Sequence, residues 1–259
     1  MTFRPLSRRK FIRRTLLSGA LGLAAYTHWV EPGWVKVRQL RVGKTAPAHR
    51  FVHFTDIHYK GDRAYLQSVV ATINSLRPEF VCFTGDIIEE GRYLPEALEL
   101  LAGIKAPLFG VPGNHDYWSR VSFAPIQECF AATGGGWLLD ETRLVAQDTI
   151  NLIGITCRYF VQPRVAVQAG GKNILLMHYP AWVKRLGDQQ FDLMLAGHSH
   201  GGQVRIPFYG APFVPFLVDE YDLGRFELPQ GPLYVNPGIG WYPLPVRFNC
   251  RPEITLIEI

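Results

Sequence analysis

Groups of carboxylate, amide and imidazole side chains recur between residues 56 and 200 of this chain of 259 residues. They read, in order, Asp56-Ile57-His58, Gly85-Asp86, Gly113-Asn114-His115-Asp116, His178 and Gly197-His198-Ser199-His200. Carboxylates, an amide oxygen and neutral imidazoles together suit borderline divalent ions such as Mn²⁺, Fe²⁺ or Zn²⁺. The groups offer no thiolate, which argues against a structural cysteine-type zinc site. They hold more imidazoles than a Mg²⁺ or Ca²⁺ site prefers.

The number of candidate ligands predicts two metal ions and therefore a particular chemistry. Seven side chains are of ligand type, more than one ion needs: Asp56, His58, Asp86, Asn114, His178, His198 and His200. Two ions about 3.5–4 Å apart activate a bridging hydroxide and hold both ends of an in-line displacement at phosphorus. We therefore expect hydrolysis of a phosphate ester or a pyrophosphate.

Each group follows a short apolar run that predicts a β-strand. These strands are expected at residues 50–55, 80–84, 107–111, 173–177 and 191–197, with a further strand at 150–155. Two segments, 62–77 and 93–104, have the pattern of helices, and Asp62 is the expected N-cap of the first. In an α/β sheet the loops at the carboxyl ends of the strands gather over one crevice. The five groups should therefore converge in space, which a set of unrelated turn residues would not do.

The last third of the chain changes to the pattern of antiparallel strands. Runs at 203–206, 222–228, 233–236 and 253–259 predict short strands joined by turns. Alternating strands and helices followed by such strands indicate two packed sheets with helices outside them. The segment 31–42 also has β character, so we expect residues 31–48 to be a linker with an edge strand.

Taken in order, D-x-H, G-D, G-N-H-D, H and G-H-S-H resemble the motifs of the calcineurin-like metallophosphoesterase superfamily. The stretches "GHSHGGQVRIP" and "YVNPGIG", with the closing "PVRFNCRPEITLI", resemble its bacterial branch of export-signal-bearing or membrane-associated enzymes. The resemblance implies a four-layer α-β-β-α sandwich of two packed sheets flanked by helices, formed by residues 49–259. It also implies a dinuclear metal-dependent phosphohydrolase, in the first place a phosphodiesterase.

The resemblance also assigns roles to the residues of the motifs. It implies one ion held by Asp56, His58 and His200, a second held by Asn114, His178 and His198, and Asp86 as the bridge. His115 would lie beside the ions, where it protonates the leaving oxygen or stabilises charge on the phosphoryl group. Asp116 would orient His115. The ions are expected to be Mn²⁺, with Fe²⁺ and Zn²⁺ as alternatives.

Other polar residues carry weaker predictions. Arg247 and Asn249 are candidates for contact with the substrate phosphate, although a structural role is an equal alternative. Glu89 and Glu90 are expected to be caps or surface charges. The stretch 205–218, "RIPFYGAPFVPFLV", contains no acid and is rich in aromatic residues and proline. It is either an irregular segment that packs the domain or an apolar loop that meets a lipid beside the active site.

Two further functions compete with a general phosphodiesterase. Some relatives of this type cleave a nucleotide–lipid pyrophosphate, the UDP-2,3-diacylglucosamine intermediate of lipid A synthesis, and the apolar stretch favours such a lipid-linked substrate. The alternative from another class is a non-catalytic scaffold on the same fold. Scaffolds of this kind typically lose ligands or the catalytic histidine, whereas all seven ligands and His115 are present here.

Residues 1–30 are predicted to be a targeting segment. "SRRKFIRR" places Arg8 and Arg9 directly before an apolar stretch at 15–30, which resembles a twin-arginine export signal. An uncleaved membrane anchor is the alternative, so we expect export through the twin-arginine machinery or anchoring to the cytoplasmic membrane. Six of the basic residues precede residue 15, and without them the net charge of +5 falls to near neutrality. The composition therefore gives no indication of nucleic-acid binding.

Overall fold

The computed structural model describes residues 7–43, 46–159, 162 and 171–259. It contains five α-helices in these ranges: α1 Arg8–Ala25, α2 Arg63–Ser75, α3 Leu94–Leu101, α4 Asn114–Trp118 and α5 Ala124–Ala132. The strands are β1 Lys36–Arg41, β2 Arg50–Phe54, β3 Val81–Phe83, β4 Leu108–Gly110, β5 Gly136–Trp137, β6 Glu141–Val145, β7 Ile150–Gly154, β8 Lys172–Leu176, β9 Leu193–Ala196, β10 Gly224–Leu228, β11 Gly231–Val235 and β12 Glu253–Glu258.

The strands form two mixed six-stranded sheets. The first has the order β1-β12-β2-β3-β4-β5, in which β2, β3, β4 and β5 are parallel. The second has the order β10-β11-β9-β8-β7-β6, in which β11, β9, β8 and β7 are parallel. In the segment with predicted β character, β1 lies at the edge of the first sheet and pairs with β12.

Side-chain alternation along the strands builds three apolar layers. Phe51 and Phe109 of the first sheet pack with Leu176 and Leu195 of the second, so the two sheets face each other across a shared core. On the outer face of the first sheet lie α2, α3 and α5, which contribute Leu66, Ile73, Leu101, Ile126 and Phe130. The outer face of the second sheet is covered by the 3₁₀ helix Pro180–Arg185 and the segments around it. The predicted sandwich of two sheets flanked by helices is confirmed.

Most of the predicted elements are present, with one exception near the active site. The expected helices are α2 and α3, and the Asp62 carboxylate caps α2 by accepting the Tyr65 N–H at 3.0 Å. The strand predicted at 203–206 is wrong: the backbone of Gln203 has φ 57°, which breaks an extended run. Only isolated bridges form there, between Val204 and Phe248 and between Ile206 and Gly210.

The amino-terminal helix α1 projects from the domain, whereas the residues after it are part of the domain. None of the residues of α1 is buried. No helix in the described ranges is long and apolar enough to cross a membrane. Directly after α1, the carbonyl of Thr27 accepts the Arg247 N–H at 2.9 Å, and the buried Glu31 carboxylate accepts the Cys250 N–H at 2.6 Å. These bonds fix the base of α1 to the segment that precedes β12.

Candidate active site

The predicted ligands lie at the carboxyl ends of five strands: the parallel strands β2, β3 and β4 of the first sheet and the parallel strands β8 and β9 of the second. Five of the seven adopt left-handed backbone conformations, with φ values of 51° at Asp56, 44° at His58, 63° at Asp86, 67° at His198 and 50° at His200. Such conformations cost free energy in residues other than glycine, and they concentrate at functional sites. The tight turns aim these side chains into the crevice between the two sheets.

Two glycines of the motifs allow the backbone to approach the ligand carboxylates closely. A Cβ atom at Gly113 would lie 2.0 Å from Asp86 Oδ1, and one at Gly197 would lie 2.3 Å from Asp56 Oδ2. Any side chain would therefore displace a ligand, which explains why both positions hold glycine.

One group of ligand atoms joins the loops after β2 and β9. Asp56 Oδ1 lies 3.8 Å from His58 Nε2 and 3.6 Å from His200 Nε2, and the two imidazole nitrogens are 3.0 Å apart. All three residues are buried, and His200 Nδ1 has no hydrogen-bond partner. Three donor atoms of this kind within 4.8 Å of one another match the first predicted metal position.

A second group of ligand atoms contains Asp86, His178, His198 and Asn114. Ligand atoms of Asp86, His178 and His198 lie within 4.8 Å of one another, and Asn114 Oδ1 is 2.9 Å from His178 Nε2. Asp86 Oδ2 is 3.3 Å from His178 Nε2 and 3.4 Å from His58 Nε2. The Asp86 carboxylate therefore contacts both groups, which is the position of the predicted bridge.

Hydrogen bonds to the opposite ring nitrogen orient three of the imidazoles. His178 Nδ1 lies 2.7 Å from the Thr84 carbonyl, and His198 Nε2 lies 2.8 Å from the Phe216 carbonyl. His58 Nδ1 contacts the Glu89 carboxylate. Each contact satisfies one nitrogen and leaves the other available as a metal ligand.

Burial and neighbouring charge shift the pKa values of these groups in opposite directions. Burial raises the pKa of Asp56 and Asp86, but the surrounding imidazoles outweigh it and hold both pKa values below their usual range. Burial lowers the pKa of His58 and His178, yet the facing carboxylates, Asp56 and Glu89 for His58 and Asp86 for His178, raise each pKa to about 9. Buried carboxylates that attract positive charge, with imidazole and amide donors beside them, fit a pair of divalent cations.

His115 lies beside the two ligand groups, in the first turn of α4. Its ring centre is 4.8 Å from that of His58, and its backbone N–H donates to Asp86 Oδ1 at 2.8 Å. Its Nδ1 lies 3.0 Å from Glu89 Oε2. Because the other oxygen of Glu89 contacts His58, one carboxylate orients both a candidate ligand and the candidate acid.

The predicted role of Asp116 is wrong. Its carboxylate accepts the backbone N–H groups of Asp86, Ile87 and Gly113 at 2.9, 2.8 and 2.8 Å, so it joins the loop after β3 to the start of α4. Burial and the nearby Asp86 together raise its pKa to about 6, although these backbone donors lower it. The partner of His115 is instead Glu89, which the sequence had suggested to be a cap or surface charge. Glu89 follows the predicted ligand Asp86 by three residues in the same loop, and this proximity is the sequence feature that could have identified it.

The predicted substrate contacts of Arg247 and Asn249 are also wrong. Arg247 is fully buried and donates to the carbonyls of four residues, Pro237, Gly238, Gly240 and Cys250. It is therefore structural, through backbone carbonyls and not through a salt bridge. Asn249 is exposed and lines a separate cleft with Glu31 and Arg38.

An apolar cavity of about 470 Å³ opens directly onto the ligand groups. Its polar end contains Asp86, Asn114, His115, His198 and His200, and its walls are Trp118, Pro212, Phe213, Val214, Pro215, Phe216, Tyr242, Pro243, Leu244 and Val246. Several wall residues are exposed at its mouth, including Phe213 at 83% and Leu244 at 63%. Residues 212–216 of the stretch 205–218 thus form an apolar loop beside the site, whereas Leu217 and Val218 at its end pack into the domain.

Comparison with known proteins agrees with this arrangement. A model of the calcineurin-like phosphoesterase family matches residues 49–202. The chain is 29% identical to the phosphodiesterase YaeI of Escherichia coli, over 98% of this chain and 99% of that one. It is also 29% identical to the uncharacterized metallophosphoesterase YkuE of Bacillus subtilis, over 98% of both chains.

Two further comparisons concern a pyrophosphatase and the fold. The UDP-2,3-diacylglucosamine pyrophosphatase LpxG of Chlamydia trachomatis is 27% identical, over 94% of this chain and 95% of that one. The solved structure of a dimetal phosphatase from Danio rerio superposes with a TM-score of 0.50 at 12% identity, covering 76% of this chain and 90% of that one. The structural likeness supports the two-sheet fold.

Proposed function

The chain belongs to the calcineurin-like phosphoesterase family and is a metal-dependent phosphoester hydrolase, and we propose that it cleaves a phosphodiester or pyrophosphate with one apolar, lipid-like arm. The observation that carries the proposal is the 470 Å³ cavity, which joins the ligand groups to a wall of aromatic, aliphatic and proline side chains. When the phosphorus atom of the substrate lies at the polar end of the cavity, one of its ester substituents lies between the apolar walls.

The composition of the wall favours an alkyl chain over a sugar or a nucleotide base. A cavity that recognises a polar substituent needs fixed donors and acceptors. In this cavity most positions away from the ligand groups are apolar, among them Phe213, Val214 and Leu244. Gln203 also lines the cavity, but its amide group is already bonded to the carbonyls of Leu244 and Val246 and to the N–H of Tyr242. Burial of alkyl surface there contributes about 0.8 kcal/mol per methylene group.

We propose Mn²⁺ as the native metal at both positions, on the basis of the mixed oxygen and imidazole donors. Asp56, His58 and His200 would hold one ion, and Asn114, His178 and His198 the other, with Asp86 between them. When bound, the two ions supply activated water and neutralise charge on the phosphoryl group.

The chain itself supplies the proton for the leaving group. Glu89 contacts His115 Nδ1 and leaves the other ring nitrogen free at the polar end of the cavity. Protonation of the leaving oxygen from that nitrogen avoids release of an alkoxide.

A nucleotide–lipid pyrophosphatase is the second candidate. The similarity to LpxG extends over 94% of this chain, and the apolar cavity accepts an acyl chain equally well in this case. The two candidates differ in the leaving group, which is an alcohol for a phosphodiesterase and a second phosphate ester for a pyrophosphatase.

A substrate panel with Mn²⁺-loaded protein tests both candidates. It contains bis(p-nitrophenyl) phosphate, p-nitrophenyl phosphate, a short-chain phospholipid and UDP-2,3-diacylglucosamine. We expect kcat/KM for at least one lipid-armed substrate to exceed by tenfold or more that of a short-armed analogue with the same leaving group, since about two buried methylene groups suffice for that factor. Equal or lower values for every lipid-armed substrate would refute the apolar-arm proposal.

A pair of variants locates the effect within the cavity. Phe213→Ser should lower kcat/KM for the preferred lipid-armed substrate and leave that for p-nitrophenyl esters nearly unchanged. Leu144→Ser is the matched control, because Leu144 is an exposed apolar residue of β6 outside the cavity. Equal effects of the two substitutions would contradict the assignment of the apolar arm to this cavity.

We also propose an envelope location, reached through twin-arginine export or held by a membrane anchor. The support is the sequence "SRRKFIRR" and the absence of any buried residue in α1. Residues 1–6 lie outside the described ranges. The bonds of Thr27 and Glu31 to the domain indicate that any cleavage compatible with the fold occurs before these two residues.

A further inference from the structure

A tight turn at residues 206–210, which we call the apolar turn, projects beside the mouth of the cavity. Backbone hydrogen bonds in both directions between Ile206 and Gly210, each 2.9 Å long, close it. Ile206 is 47% exposed, Tyr209 is 73% exposed, and Phe208 at the tip is fully exposed. None of these three residues lines the cavity.

The conformation of Phe208 makes this exposure unusual. Its backbone has φ 66°, a left-handed conformation that is unfavourable for an aromatic residue. An exposed phenyl ring at a strained turn gains nothing from packing within the chain. Backbone strain of this kind, together with exposed apolar area, is typical of a surface that binds a partner outside the folded domain.

The surroundings of the apolar turn select the kind of partner. Residues 206–218 include no charged side chain. Around the mouth of the cavity lie exposed aromatic residues, among them Trp118 at 56% and Tyr242 at 41%. Exposed tryptophan and tyrosine next to aliphatic side chains form the composition that proteins present to the boundary between lipid head groups and acyl chains.

The basic residues of α1 favour an anionic bilayer. Pro207 of the turn and Tyr26, at the end of α1, line the same cleft, so α1 starts from the domain beside the turn. Five exposed basic residues lie in the first half of α1: Arg8, Arg9, Lys10, Arg13 and Arg14. No acidic residue precedes Glu31. Each basic residue close to a membrane surface contributes about 1 kcal/mol to the free energy of binding to anionic lipid.

We propose that the apolar turn inserts Phe208 and Tyr209 into the surface of an anionic lipid bilayer and holds the mouth of the cavity against it. This inference rests on the proposed function, because a cavity that opens at the bilayer surface can take a lipid-armed substrate without its passage through water. The aqueous path to the metal ligands remains open to small soluble esters, since the turn itself does not line the cavity.

Site-specific insertion is measured by tryptophan fluorescence in the full-length protein. Phe208→Trp and the control Leu144→Trp are each mixed with vesicles of phosphatidylglycerol and phosphatidylcholine that carry brominated acyl chains. We expect Phe208→Trp to be quenched more strongly than the native protein with its six tryptophans. Leu144→Trp should show no quenching beyond that of the native protein. Equal quenching in the two variants would overturn the proposal, whatever α1 contributes to vesicle binding.

Binding strength is measured with Phe208→Ser and Leu144→Ser. Loss of the phenyl ring should weaken partition onto these vesicles about tenfold, while the control should match the native protein. Turnover of bis(p-nitrophenyl) phosphate should remain unchanged in Phe208→Ser. A native dimer that becomes a monomer in Phe208→Ser, with vesicle partition unaltered, would assign the turn to a second copy of the chain and refute membrane docking.

The two proposals fail in distinguishable ways. Insertion of residue 208 without preferred turnover of any lipid-armed substrate would support docking and refute the substrate class. Preferred turnover of a lipid-armed substrate, with no insertion at residue 208, would support the substrate class and refute docking.

Discussion

Glu89 offers the most direct test of how the active site is positioned. One oxygen of its carboxylate contacts Nδ1 of His58, a candidate metal ligand, and the other lies 3.0 Å from Nδ1 of His115, the candidate acid. The side chain is only 15% exposed, so solvent provides little replacement for either bond. Glu89→Gln keeps the size of the side chain but leaves only one acceptor oxygen for two imidazole N–H groups.

The expected magnitude follows from the loss of one charge-assisted hydrogen bond. Such a bond contributes about 1.5–3 kcal/mol, which corresponds to a decrease of about 10–150-fold in kcat/KM. Loss of carboxylate partners behind metal-binding histidines has effects of about 10–100-fold. If the amide turns its oxygen to His58, metal content stays normal and kcat falls; if it turns its oxygen to His115, metal affinity falls.

Steady-state kinetics with saturating Mn²⁺, together with elemental analysis, separates these two results. Glu90→Gln is the matched control, because Glu90 is adjacent, its side chain is 57% exposed, and it pairs with Arg92 at the surface. That control should leave kcat/KM and metal content unchanged. Equal kinetic and metal-binding behaviour of Glu89→Gln and Glu90→Gln would refute the positioning role of Glu89.

Four other substitutions test separate parts of the account. His115→Ala should retain both metals by elemental analysis and lose about 10²–10⁴-fold in turnover, the usual contribution of a general acid; an empty protein would instead make His115 a ligand. Asp86→Asn should lower metal content itself, since a neutral amide bridges two cations poorly, and full occupancy would contradict the bridging role. Arg247→Met should lower the free energy of unfolding by about 3–5 kcal/mol in urea titrations, because four buried carbonyls lose their donor; unchanged stability with a raised KM would restore it as a substrate contact. Replacement of Arg8 and Arg9 by Lys should retain active protein on the cytoplasmic side in fractionation and protease-accessibility assays, because an export receptor distinguishes arginine from lysine; an unchanged location would indicate a simple membrane anchor.

The type and order of the ligands were determined by the sequence itself. The residues that hold a metal ion must carry donor atoms, and donor chemistry belongs to the side chain whatever its surroundings. The strands that precede the ligands are short apolar runs whose burial is likewise visible locally, as in Val81–Phe83 before Asp86. Convergence within each sheet then followed from the rule that loops at the carboxyl ends of parallel strands share one side of a sheet. The packing of the two sheets on each other joined the groups after β2, β3 and β4 to those after β8 and β9.

The roles of Glu89, Asp116 and Arg247 were decided only by the tertiary structure. Each is a charged residue near a motif, and in isolation each can serve as a cap, an orienting group or a substrate contact. The choice depends on which donors and acceptors the fold places around it: imidazoles at Glu89, backbone N–H groups at Asp116 and backbone carbonyls at Arg247. These partners lie 3 to 31 residues away along the chain. Their geometry arises from packing, so the local sequence does not specify which of these donors and acceptors each side chain meets.

The exposure of the apolar stretch 205–218, which follows the last ligand, was likewise determined only by the tertiary structure. Its composition is compatible with burial inside the domain and with exposure at a surface, because both environments accept aromatic and aliphatic side chains. The left-handed backbone at Gln203 ends the extended run, and the bridge between Ile206 and Gly210 then turns Phe208 outward. Whether an apolar residue faces the core or the solvent is set by the direction of the backbone, which composition alone does not specify.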